Sequence, residues 1–200
     1  MMIIQYIPWL IAVLTLIAVI CIVIVSWKNG ISPMPASRPV RQVVIEEVNL
    51  IPGYADIMEA GSGWGTLGMD VVKHCPGKRL TGIENSLIPL WASQWLTWLS
   101  KGLHRAGAVI GTGRGGQRNS FKGRLRFIRG NIYTCSYAHA DGVICYLFPG
   151  AMTRLADKFK RELPPGARVI SVCFALPGKE PLRTITCRDA LRTKVYVYAF

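Results

Sequence analysis

Two hundred residues suffice for one ordinary domain with a short appendage, which excludes two domains of normal size. Half of the residues are hydrophobic and the formal charge is +13, high for this length and unevenly placed. Six cysteines form no CxxC pair, and His74, His104 and His139 have no ligand-like spacing with them. A metal site and a disulfide framework are therefore set aside in favour of buried, reduced thiols in a reducing compartment.

The first element is the run 3–25, IIQYIPWLIAVLTLIAVICIVIV, which carries no charged side chain. A helix needs about 20 such residues to cross the hydrocarbon layer, so the expectation is one transmembrane anchor. A cleaved signal peptide would show a basic start and a shorter apolar run of roughly 7–15 residues. No Lys or Arg precedes the run, whereas Lys28, Arg38 and Arg41 lie beyond it. Basic flanks stay in the cytoplasm, so the chain beyond residue 25 is expected to face the cytoplasm or an equivalent reducing compartment. Trp27 beside Lys28 suits the headgroup layer.

Residues 30–39, GISPMPASRP, read as an extended, semi-stiff linker. RQVVIEEVNL (41–50) reads as a short amphipathic helix that Pro52 and Gly53 end. From there the pattern alternates. Strands are expected at 55–60, 79–84, 125–130, 141–148 and 167–176, with helices at 66–74, 87–104 and 150–163. Trp91, Trp95 and Trp98 recur on one face of the second of these helices, and that stripe is expected to pack in the core. The tail holds two β-rich pieces, 182–187 and 194–200, expected to form a terminal hairpin. The fold class is thus α/β: a Rossmann-like, doubly wound, mostly parallel sheet with a terminal antiparallel strand, preceded by one transmembrane helix. The corresponding division is 1–28 anchor, 29–40 linker and 41–200 folded domain.

Residues 101–130 hold eight Lys and Arg and no acid. A solvated basic loop near an anionic membrane surface accounts for them, and a docking face for an acidic partner or nucleic acid is the competing account. Only Phe121 and Phe127 stand among those charges, too few aromatics for a base-stacking platform, so nucleic acid is not an expected partner.

The chemistry centres on Glu59-Ala60-Gly61-Ser62-Gly63-Trp64-Gly65, between the first strand and a helix. Glycines there let the backbone turn tightly and approach a ligand, and the helix start offers free N–H groups to an anion. Glu84, at the end of the next strand, is placed to accept hydrogen bonds from both hydroxyls of a ribose. Gly63-x-Gly65-x-x-Gly68 also satisfies the dinucleotide fingerprint, so an NAD(P)-dependent oxidoreductase stays as an alternative. Glu59 separates the two. A carboxylate beside the turn repels a pyrophosphate but suits a ligand carrying an ammonium and a sulfonium, as S-adenosyl-L-methionine does. A non-catalytic, membrane-tethered basic binding module is the third reading.

These residues resemble the class I S-adenosylmethionine-dependent methyltransferases over about 55–176. Glu59 to Gly65 looks like their first motif, E/D-x-G-x-G-x-G, and Glu84 matches their ribose-binding acid. Gly130-Asn131-Ile132 is similar to their adenine segment, where the family often carries Asp after the glycine; Asn131 departs from it but keeps a hydrogen-bonding amide. A narrower likeness joins Asp141 to Pro149 and Ala167 to Ser171 to a small membrane-anchored group that includes protein-lysine methyltransferases. It implies that Tyr146 to Pro149 stand beside the transferred methyl group and help form the acceptor pocket, with Tyr146 and Pro149 as the candidate catalytic residues. The implied donor is held by Glu59, Gly61, Ser62, Gly63, Gly65, Glu84 and Asn131. The implied acceptor is a protein lysine near the membrane that residues 3–25 enter.

Overall fold

The computed structural model describes residues 2–29, 35–86, 89–98 and 123–200. The chain divides into two compact units, Met1–Met34 and Pro35–Phe200. The first contains helix α1, Met2–Asn29. Side chains of α1 are described over 6–17 and at 19, 20 and 23. They include the exposed Tyr6, Trp9, Leu10, Ile11 and Leu14. The helix expected over 3–25 is therefore present; among the described residues no helix is long and apolar enough to cross a membrane.

The second unit starts with α2, Arg38–Asn49. It begins earlier than the hydrophobic pattern alone places it, because Pro39 sits in the first turn, where a missing N–H costs nothing. β1 (Ala55–Ala60), α3 (Thr66–His74) and β2 (Lys78–Glu84) come next, and then a helix described over 89–98, here α4. The remainder is β3 (Leu125–Arg129), β4 (Gly142–Cys145), α5 (Pro149–Glu162), β5 (Arg168–Val172), β6 (Arg183–Thr186) and β7 (Lys194–Ala199). Most of the basic, glycine-rich loop expected after α4 lies outside the described residues.

The strands form one sheet in the order β3-β2-β1-β4-β5-β7-β6. Pairs β1–β2, β2–β3, β1–β4 and β4–β5 are parallel, while β7 runs antiparallel to both β5 and β6. The fold is Rossmann-like with one antiparallel strand, and the expected hairpin is the β6–β7 pair.

Alternating side chains divide the core between the two faces of the sheet. Ile57, Leu80, Ile144 and Ile170 pack with Val40 and Val44 of α2 and with Leu67 and Val71 of α3. Val143, Cys145 and Val169 pack on the other face with Met152, Leu155 and Phe159 of α5. All four residues of β4 are buried, as a central parallel strand covered on both sides requires.

Tryptophans 91, 95 and 98 do not pack in this core; they are 63, 59 and 69 % exposed. Periodicity correctly marked one face of a helix but not the medium that face meets. The inner face of α4 is instead Leu90, Ser93 and Thr97.

Candidate active site

The sheet order reverses between β1 and β4. After β1 the chain passes to α3 on one face, and after β4 to α5 on the other, so a crevice opens beyond their carboxyl ends. Two turns of chain define its rim. The first is the glycine run after β1. Gly61 N and Ser62 N both donate to Ile83 O at 3.0 Å, and Gly65 N donates to Ser62 O at 2.8 Å. These bonds tie the run to the end of β2. Gly65 has φ +73°, and a Cβ there would lie 2.6 Å from Phe127 and 2.7 Å from Ser93. Both torsion and space therefore demand glycine.

Glu84 organises the same rim. Its Oε2 accepts Gly63 N–H and its Oε1 accepts Ser86 N–H, each at 2.8 Å. Each oxygen keeps a second lone pair for a ligand hydroxyl. Glu84 O also accepts Gly130 N–H at 3.1 Å, which holds the end of β3 beside it. Asn131 comes next, exposed, with its Oδ1 accepting Tyr133 N–H at 2.9 Å; its amide N–H groups are the donors it can offer.

Glu59 lies behind the glycine run. It is 4 % exposed, and its Oε2 has no hydrogen-bond partner. That oxygen rests against the first turn of α3, 2.6 Å from where a Cβ on Gly68 would stand. Burial, and then the charge of Glu84, push its pKa up from 4.5 to about 8. Ser62 Oγ is likewise buried and unpartnered. No side chain caps α3. Unsatisfied buried polar atoms are rare in folded proteins, and a ligand that completes them is one standard reason for their survival. A ligand with a cationic end, hydroxyls and a carboxylate for the α3 terminus fits this set; a pyrophosphate beside Glu59 does not.

The second rim is Tyr146-Leu147-Phe148, between β4 and Pro149, the opening residue of α5. Leu147 Cδ2 would lie 2.7 Å from a Cβ on Gly61, so the two rims touch there. Tyr146 is half-buried. Burial, and then the neighbouring Cys173, raise the pKa of its phenol. A neutral phenol orients a nucleophile; it does not act as a phenolate base.

Glu59, Gly61, Ser62, Gly63, Gly65 and Glu84 are thus joined in one cluster, with Asn131 attached through Gly130. Leu147 meets Gly61 across the β1–β4 boundary, whereas Tyr146 packs against the first core cluster beside Cys173, and Pro149 stands farther along as the first residue of a helix. Three residues escaped the sequence reading: Ser93 and Phe127, which wedge against Gly65, and Cys173, held at φ +73° beyond β5. A left-handed cysteine has no signature in residue type, so no sequence signal marked it. Among the described residues the thiols of Cys75, Cys145 and Cys187 are buried and form no disulfide.

The family model of the ANTKMT methyltransferase domain matches residues 59–183, from Glu59 into β6. A protein-lysine N-methyltransferase of Saccharolobus islandicus is 30 % identical over 83 residues, which cover 41 % of this chain and 52 % of that protein. The chain thus spans about half the length of the curated relative it matches. An RNA methyltransferase from Salinibacter ruber, solved with S-adenosyl-L-homocysteine, superposes with a TM-score of 0.62 at 22 % identity, over 83 % of this chain and 93 % of that one. TrmN from Thermus thermophilus superposes with a TM-score of 0.57 at 16 % identity, over 80 % of this chain and 48 % of that one. At those identities the two structures establish the fold. With the family match covering more than half of the sequence, the chain belongs to the ANTKMT methyltransferase domain family and is a class I methyltransferase that uses S-adenosyl-L-methionine.

Proposed function

We propose that this enzyme methylates lysine side chains of a protein at a membrane. The observation that carries the lysine reading is the 30 % identity to a protein-lysine N-methyltransferase. In this reading Glu59 pairs with the ammonium of the donor, and Glu84 takes the ribose hydroxyls. Gly61, Ser62, Gly63 and Gly65 let the backbone close on the ligand, and Asn131 donates to the adenine ring. Bound there, S-adenosyl-L-methionine supplies a methyl group on an already activated sulfonium. The chain's task is alignment: nucleophile, methyl carbon and sulfur in line. The amine lone pair forms the N–C bond as the C–S bond breaks, and the amine sheds its proton to water. Tyr146 accepts an N–H of the incoming amine and directs the lone pair inward, and Pro149 fixes the backbone that carries it.

Membrane placement is the second half of the proposal. It is supported by the uncharged run 3–25, the exposed apolar side chains of α1 and the basic residues beyond them. The flanking charge favours the cytoplasmic side. The test is labelled-methyl transfer into whole membranes from cells lacking the protein, with protein and lipid fractions counted separately. Label is expected in protein and, after hydrolysis, as methyllysine. Label confined to lipid, or to another amino acid, overturns the lysine reading.

A further inference from the structure

Helix α4 inverts the usual pattern of a domain-covering helix. Its inner face is small and polar. Ser93 and Thr97 are 0 and 6 % exposed, and their hydroxyls are spent on the helix backbone, Ser93 on Leu90 O at 2.8 Å and Thr97 on Ser93 O at 2.7 Å. Gln94 reaches across to Phe127 O at 3.3 Å. Its outer face carries the three largest apolar side chains available, Trp91, Trp95 and Trp98, all more than half exposed. A water-facing helix would place these residues the other way round. A contiguous indole face of this kind marks a surface made for another phase or partner.

We propose that the tryptophan face of α4 seats the domain on an anionic lipid surface, with its indoles at headgroup depth. Three observations favour lipid over a protein partner. The side chains are all tryptophan, an apolar ring with one N–H, the chemistry enriched where hydrocarbon meets water. The sequence just beyond α4 holds eight basic residues and no acid over 101–130, which complements acidic headgroups. A second copy carries the same net charge of +13, which opposes pairing of two copies. The inference shares a bilayer with the membrane reading above but does not require α1 to span it.

The full chain in phosphatidylcholine–phosphatidylglycerol vesicles carrying a lipid with a photoreactive group near its ester carbonyl provides the test. After irradiation and proteolysis, adducts are expected on peptides containing Trp91, Trp95 and Trp98, and several-fold fewer in phosphatidylcholine alone. Replacing all three by Gln should abolish them, while the rise in Tm with S-adenosylhomocysteine, retained, certifies the fold. Adducts on α1 without any on 89–98 overturn the inference and leave the anchor standing. Adducts on 89–98 without any on α1 support it and remove the anchor. No adducts on either overturn both. An unlabelled α4 whose tryptophans instead govern a concentration-dependent dimer in detergent assigns the face to a second copy and also overturns it.

Discussion

Glu59 feels two costs at once, loss of water and the nearby charge of Glu84, which together raise its pKa from 4.5 to about 8. A raised carboxyl pKa means that the folded state holds a proton which the unfolded chain releases. Its contribution to stability is fullest below the unfolded value and is lost as pH rises toward 8. A cationic ligand reverses the preference, since it pairs with the ionised form. Binding of S-adenosylhomocysteine, which keeps the ammonium, should tighten with rising pH up to about 8. At neutral pH it should release protons. Calorimetry in two buffers of different ionisation enthalpy reads that release directly; Glu59→Gln should abolish it, and equal heats for the unaltered enzyme would refute the pairing. On the opposite rim, Tyr146→Phe removes a hydrogen bond worth about 1 kcal/mol and should lower kcat roughly five- to tenfold. Cofactor affinity should not move; a loss of affinity instead would place Tyr146 in the donor site. Cys173 offers a contrasting case, because its φ of +73° costs an L-residue about 1 kcal/mol or more. Cys173→Gly should raise Tm yet lower kcat, since it relieves the backbone and removes the thiol beside Tyr146. A variant lower in both would show that the sulfur matters more for packing than for position.

At the scale of elements, two contacts hold the crevice in shape. Gly65 turns the chain from β1 into α3, and Gly65→Ala meets a left-handed backbone together with Phe127 and Ser93. A loss of about 1–3 kcal/mol is expected, read by chemical denaturation. Farther off, α2 is fastened to β6 by Arg183 Nη2 on Glu47 Oε2 at 2.6 Å, with the Glu47 side chain 4 % exposed. Arg183→Ala strands a buried carboxylate and should cost about 2–3 kcal/mol. The Glu47→Gln/Arg183→Ala pair should recover part of that, and strict additivity would argue against a direct coupling. Elements were legible in the sequence where chemistry left one solution. The glycine run, Glu59 and Glu84 could be read because a tight turn and a ribose each demand particular residue types. β4 was read as 141–148 but stops at Cys145. A continuous apolar run looks the same whether it continues as strand or leaves as the rim Tyr146-Leu147-Phe148. The indole stripe failed for a related reason, since spacing defines a face and says nothing of what lies against it.

For the whole molecule, alternation of strands and helices implied the parallel sheet, and the β-rich tail implied its hairpin. Insertion of β7 between β5 and β6 was beyond reach of the pattern, because strand order depends on which edges remain open once the helices are seated. The division into Met1–Met34 and Pro35–Phe200 leads to a further expectation. Every buried apolar residue of the two core clusters lies between Ala36 and Tyr198, on both faces of one seven-stranded sheet. All the rim residues that touch the crevice lie within the same span. A chain reduced to 35–200 should therefore fold and bind S-adenosylhomocysteine with the affinity of the full chain in detergent. If the first unit serves to hold the enzyme beside its acceptors, the shortened chain should lose methyl transfer to intact membranes. It should keep transfer to the same proteins once they are extracted into detergent. The two measurements separate folding from placement. Loss of cofactor binding would mean that residues before 35 complete the core, whereas unchanged transfer to intact membranes would mean that anchoring rests on the second unit alone.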